Sequence, residues 1–219
     1  MKHVKVWDLF VRIFHWSLVA GVITQLATAE DLKGVHAAVG YIIVALLISR
    51  IVWGFVGSRH ARFTDFIYPP ADIFAYLKGL IKGRPKHYTG HNPAGGAMVC
   101  ALLLLLSLTT LAGLKTLGAE GKGPLAANPA NVMARARADD RTDHTGDAFH
   151  HDEEGKNARD PHSHAGNKAQ AHFWKEIHET LVGITLFLVG LHICGVLASS
   201  YVHRENLILA MITGNKKTP

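Results

Sequence analysis

Four stretches of this 219-residue chain are long and apolar enough to cross a bilayer, which takes about 20 predominantly apolar residues. They run over about 10–28, 35–55, 94–114 and 174–201, and the third is unbroken from Leu102 to Leu106. Lipid offers no hydrogen bonds, so each segment must satisfy its own backbone amides, and a helix does this. The expected fold is therefore all-α, an integral membrane four-helix bundle. Composition agrees: 18% of residues are charged, below the quarter usual for soluble domains. The first stretch carries Arg12 and His15 and lacks a small-residue cleavage site, so it reads as a retained helix and not a secretory leader.

Charge sets the orientation. Lys2, Lys5 and Arg12 lie on the N-terminal side. Arg59, Arg62, Lys78, Lys82, Arg84 and Lys86 lie between the second and third stretches, and Arg204, Lys216 and Lys217 in the tail. With four spans these segments share one face, and they hold few acids. The positive-inside rule makes that face cytoplasmic, with both termini on it. A net charge of +6 would also suit a nucleic-acid binder, but no basic cluster sits on a recognisable module, so the expected partner is membrane lipid.

Ile73, Phe74, Leu77, Leu80 and Ile81 recur at helical spacing opposite Asp72, Lys78 and Lys82. That pattern predicts an interfacial helix over 71–83, entered through Pro69 and Pro70. Residues 118–171 are rich in Ala, Gly, Asp, Arg and His, and read as a flexible periplasmic insertion. Cys100 and Cys194 both lie in apolar runs, which excludes a disulfide scaffold, and no Cys-x-x-Cys-His motif exists for covalent haem attachment.

Fifteen histidines are the loudest compositional feature. Four fall within spans, where ligating residues are costly and mark function: His15, His36, His178 and His192. His178 and His192 are 192 − 178 = 14 residues apart, close to four helical turns or about 21 Å at nearly one azimuth. His36 matches the depth of His178, and His15 that of His192. Two imidazole pairs, each joining two helices, suit two stacked b-type haems in a bundle core. Both axial positions of each iron would then be filled, which favours electron transfer over oxygen chemistry.

Arg50 follows His36 by the same interval, 50 − 36 = 14, and so lies at the depth of the inner haem, where a propionate needs a cation. Arg12 is a second candidate for this role, and snorkelling to the interface is the alternative for both. In the long loop, His144, His150, His151, His162 and His164 alternate with acids, which suits either metal binding or a solvated docking surface. His172 stands at the membrane edge near the outer haem. His3, His60, His87, His91 and His203 receive no role.

Several stretches together carry a family resemblance: Val6-Trp7-Asp8 with Arg12 and Phe14-His15-Trp16, RIVWGFVGSRHARF over 50–63, GHNPAGG over 90–96, and HRENLILAMITG over 203–214. The chain resembles the bacterial cytochrome b561 family, which includes the cytochrome b subunits of membrane-bound nickel-iron hydrogenases. The resemblance covers all four spans and both cytoplasmic loops, but not the long outer loop. It implies a multi-pass protein of the cytoplasmic (inner) membrane with haem ligands on spans one, two and four. It also implies electron exchange between the quinone pool and a redox partner, a periplasmic c-type cytochrome or a hydrogenase. A second copy of this chain is a further candidate partner.

Two other functions fit the sequence less well. A self-sufficient superoxide–quinone or ferric oxidoreductase would need a cationic funnel over the outer haem, for which Lys33, Lys168 and Lys175 are the candidates. A metal carrier would want carboxylates or thiolates near the histidines at mid-depth, and only Glu176 and Glu179 come near.

Overall fold

The computed structural model describes residues 2–83, 86–88, 90–126 and 161–218. A strand, β1 (Lys2–Lys5), leads into two long helices, α1 (Leu9–Thr28) and α2 (Lys33–Val56). A 3-10 turn (Arg59–Ala61), a short helix α3 (Phe63–Phe66) and α4 (Pro70–Ile81) follow. Then come α5 (Pro93–Ala119), α6 (Pro161–His203), α7 (Leu207–Thr213) and β2 (Asn215–Thr218). Among the described residues, α1, α2, α5 and Lys168–His203 of α6 have the length and apolar character to cross a membrane. They turn large side chains such as Ile23, Phe55 and Phe187 outward, as lipid-facing helices do.

The helix predicted over 71–83 is found as α4, one residue earlier at its start and two at its end. The larger difference is α6, which begins at Pro161, well before the expected 174 and inside the stretch taken as loop. Ala, Lys and Gln propagate a helix beyond the apolar stretch, and proline suits its first turn. Thus His162 and His164 fall in α6, while His144, His150 and His151 lie outside the described residues.

Contacts divide the chain into two compact units, residues 1–110 with 181–219, and residues 111–180. In the first, Phe14 of α1, Ile43 and Leu47 of α2, and Leu103 and Leu106 of α5 form one apolar core. The Thr109 and Thr185 hydroxyls meet at 3.3 Å, joining α5 to α6. A second core, of Val6, Trp7, Val11, Ala61 and Ala210, gathers three of the four stretches that bear the family resemblance. Two glycines are required by close approach. A Cβ on Gly96 would lie 2.1 Å from the Phe66 carbonyl oxygen, and one on Gly54 would lie 2.2 Å from the Phe63 ring.

Asp8 ties this second core together. One carboxylate oxygen caps α1 by accepting from the Val11 N–H at 2.8 Å. The other accepts from the Trp53 indole N–H at 2.9 Å and from the Ser58 hydroxyl. Burial opposes ionisation, but these hydrogen bonds and the charge of Arg50 outweigh it and hold the carboxyl below its ordinary range. Asp8→Ala is expected to cost about 2 kcal/mol, roughly half from the lost cap and half from the stranded indole. A group with a lowered folded-state pKa stabilises above its unfolded value, and that contribution fades as pH falls through the lowered one. Thermal melts in detergent should therefore show a wild-type advantage at neutral pH that shrinks on acidification; an advantage constant with pH would contradict this.

The two ends of the chain meet. β1 and β2 pair antiparallel, from Lys2 opposite Thr218 to Lys5 opposite Asn215. Gly214 ends α7 in the left-handed region at φ 83°, and its carbonyl accepts from the N–H groups of Val6 at 2.9 Å and Trp7 at 3.1 Å. The Arg12 guanidinium donates to the Ile212 carbonyl at the same helix end.

In the second unit, α5 ends in a turn in which the Lys122 N–H donates to the Leu117 carbonyl at 2.9 Å. On α6, His172–Glu176 and Lys175–Glu179 make exposed pairs four residues apart, at 3.5 and 3.6 Å. Such pairs contribute only a few tenths of a kcal/mol, about 0.2–0.5 each.

Candidate functional site

α1 and α6 each bring a histidine into the first unit. His15 is half-buried, its Nδ1 enclosed without a hydrogen-bond partner, and its ring stands edge-on to Trp16 at 5.1 Å. His192 is also half-buried, and the two imidazoles are near enough for charge on one to act on the other. Two half-buried imidazoles on two different spans of one unit form a donor set suited to an iron with two axial nitrogens.

Arg50 stands in the same unit, 2% exposed. Its guanidinium carbon lies 5.7 Å from the Phe63 ring centre and 5.9 Å from that of Phe66. Nη1 is buried with no hydrogen-bond partner. A cation withdrawn this far from water is costly unless an anion meets it, and aromatic faces offset only part of that cost. Asp8, whose charge Arg50 feels, is already engaged by Val11, Trp53 and Ser58. A carboxylate-bearing cofactor fits this position.

Arg12 is partly committed elsewhere, since its guanidinium holds the end of α7, while its Nε is buried without a partner. Sequence alone did not reveal that attachment.

His36 is half-buried near the start of α2, with Nδ1 at 3.2 Å from the Gln25 carbonyl oxygen. A histidine that donates its Nδ1–H to a carbonyl has Nε2 as its ligating nitrogen, the usual arrangement around metal-bound imidazoles. The Gln25 side-chain oxygen is itself buried without a partner, and sequence reading passed over this polar residue in an apolar span. In the second unit, the His178 ring lies against Gly113, where a Cβ would come within 3.1 Å of it.

His91, assigned no role from sequence, has Nδ1 buried without a hydrogen-bond partner. Its ring packs on Trp7 at 4.5 Å and on Phe66 at 4.8 Å. Burial and the charge of Arg50 push its pKa down to about 3, so the ring is neutral at physiological pH. The one sequence signal was its place in GHNPAGG, directly before the Asn92 side chain that accepts from the Gly95 N–H at 2.7 Å.

Another polar cluster fastens the tail. Glu205 pairs with His87 at 2.8 Å and with Lys216 at 3.2 Å, and the Tyr76 hydroxyl meets His203 at 3.2 Å. Burial raises the Tyr76 pKa, which keeps that phenol protonated.

A family model described as prokaryotic cytochrome b561 matches residues 6–214. A probable Ni/Fe-hydrogenase B-type cytochrome subunit of Bradyrhizobium diazoefficiens is 27% identical over 150 residues, covering 55% of this chain and 60% of that relative. The protein of that name in Rhodobacter capsulatus is 29% identical over 151 residues, covering 55% and 56%. The chain thus spans about 60% of the length of such curated relatives. No solved structure matches it.

Proposed function

The chain belongs to the prokaryotic cytochrome b561 family, whose members are membrane electron-transfer cytochromes with b-type haem, and on that premise we propose a dihaem relay between the quinone pool and a periplasmic redox partner. The observation that carries this reading is the pair of neighbouring half-buried imidazoles, His15 and His192, in one unit with the buried guanidinium of Arg50.

Bound haem would supply the one-electron redox chemistry. The protein's part is to hold and tune it. His15 and His192 offer the axial nitrogens of an inner haem. His36 and His178, paired by the matched depth the sequence gives them, would hold an outer one. Arg50 supplies a positive charge for an inner propionate, with Arg12 as a second candidate. Phe14, Ile43, Leu47, Leu103 and Leu106 form an apolar surround that keeps water out and lowers the reorganisation accompanying each electron transfer. Basic segments on the face that carries both termini support a cytoplasmic position for that face, in a bacterial inner membrane. The names of the relatives favour a hydrogenase over a c-type cytochrome as partner.

The test is direct. Purified protein should contain two haem b per chain by pyridine haemochrome assay. In liposomes, a quinol analogue should reduce those haems, or hydrogenase in the presence of hydrogen should do so. A haem-free preparation, or haem that exchanges electrons with neither quinol nor partner, would refute the reading.

A further inference from the structure

Two enclosed nitrogens lie near one aromatic ring in the first unit. Phe66, with 0% exposure, has the Arg50 guanidinium 5.9 Å from its centre and the His91 ring 4.8 Å from it. Arg50 Nη1 and His91 Nδ1 are both buried without hydrogen-bond partners. The charge of Arg50 acts on His91, and so does that of His192, which sets His91 within electrostatic reach of the inner pair.

The carboxylates that could serve these donors are occupied. Asp8 is taken up by Val11, Trp53 and Ser58. Asp65 is held by His60 at 2.8 Å and Arg59 at 3.7 Å. Helix α5 begins two residues after His91, and a helix start favours negative charge. A packing role alone explains the rings around His91, but it does not explain two enclosed polar atoms, one of them on a cation, beside the same ring.

We propose that His91 and Arg50 together form a two-donor seat for one propionate of the inner haem, His91 contributing its Nδ1–H and Arg50 its Nη1–H. The assignment rests on the reading that His15 and His192 hold that haem. His91 is a positioning residue, since it acts on the iron through the propionate. A neutral imidazole suits this role: it donates a hydrogen bond without adding a second buried positive charge beside the arginine.

The test is a redox titration of the purified, haem-loaded protein with both haems resolved, alongside resonance Raman of the propionate deformation band. Removing a donor leaves the propionate charge less compensated, which favours the oxidised iron. His91→Phe should therefore lower the inner-haem potential and shift its propionate band, while the outer haem stays at its wild-type potential. His91→Gln, which keeps a donor, should return both readouts towards wild type. If His91→Phe does not accumulate, His91→Met fills similar space without an N–H and should behave as predicted for Phe.

Loss of the inner haem from Phe or Met but not from Gln would also support the seat. Equal shifts or equal loss with and without a donor would mean packing and overturn it. So would unchanged potentials in the donor-free variants, or a wild-type potential that moves when inorganic phosphate is added, which points to a free anion. In each of these cases the wild-type protein still binds haem, so the underlying reading stands. Wild-type protein without haem would overturn the underlying reading as well.

Discussion

His15→Ala and His192→Ala are each expected to strip the same haem, halving haem content and leaving one b-type spectrum common to both variants. The two side chains come from α1 and α6 and are neighbours in one compact unit. His36→Ala and His178→Ala should each remove the other haem. The reason is reach. The two axial nitrogens of a haem lie about 4 Å apart, given metal–nitrogen bonds near 2 Å. His178 and His192 are 14 residues apart on one continuous helix, or about 21 Å. One haem cannot draw a ligand from both levels. Haem quantification and low-temperature spectra of the four variants decide the matter. Matching spectra for His15→Ala and His36→Ala, with His192→Ala distinct, would break the assignment.

Arg50→Leu should lower the midpoint potential of the haem bound by His15 and His192 and leave the other unchanged. A nearby buried cation favours the more negative, reduced state of the haem, so its removal favours the oxidised one. For a charge about 10 Å from the iron at an effective dielectric near 20, Coulomb's law gives roughly 1.7 kcal/mol. At about 59 mV per tenfold for a one-electron couple, that corresponds to roughly 70 mV. Arg50→Lys should retain most of the charge but lose the planar fork, giving a smaller shift. A potentiometric titration unchanged in Arg50→Leu would remove the residue from the site.

The four spans were legible because burial in lipid leaves a one-dimensional record, an apolar run of fixed minimum length. The histidines inside those runs were legible for the same reason, since a polar residue at depth stands out against its neighbours. His91 was not, because sorting by depth consigns it to a loop. Its enclosure arises only when Trp7 and Phe66, 84 and 25 residues away in sequence, close over it (91 − 7 and 91 − 66). The β1–β2 ribbon was likewise invisible. Its strands are four residues each and lysine-rich, with no alternation to betray them, and tertiary closure alone sets them in register. Arg12 could be read as a charge at a membrane edge, but its attachment to Ile212 spans 200 residues of sequence, beyond any local pattern.

That terminal closure also dictates an order of events on the ribosome. The first helix emerges with Arg12 and the β1 edge exposed, and their partners at Ile212, Gly214 and 215–218 are made roughly 200 residues later. At about 5–20 residues per second, the interval is on the order of 10–40 s. His192, the proposed partner of His15, is itself made only 212 − 192 = 20 residues before Ile212. The last ligand and the strap that fastens α1 to α7 are thus completed nearly together, so the inner pair and the closure over it belong to the same late stage of synthesis.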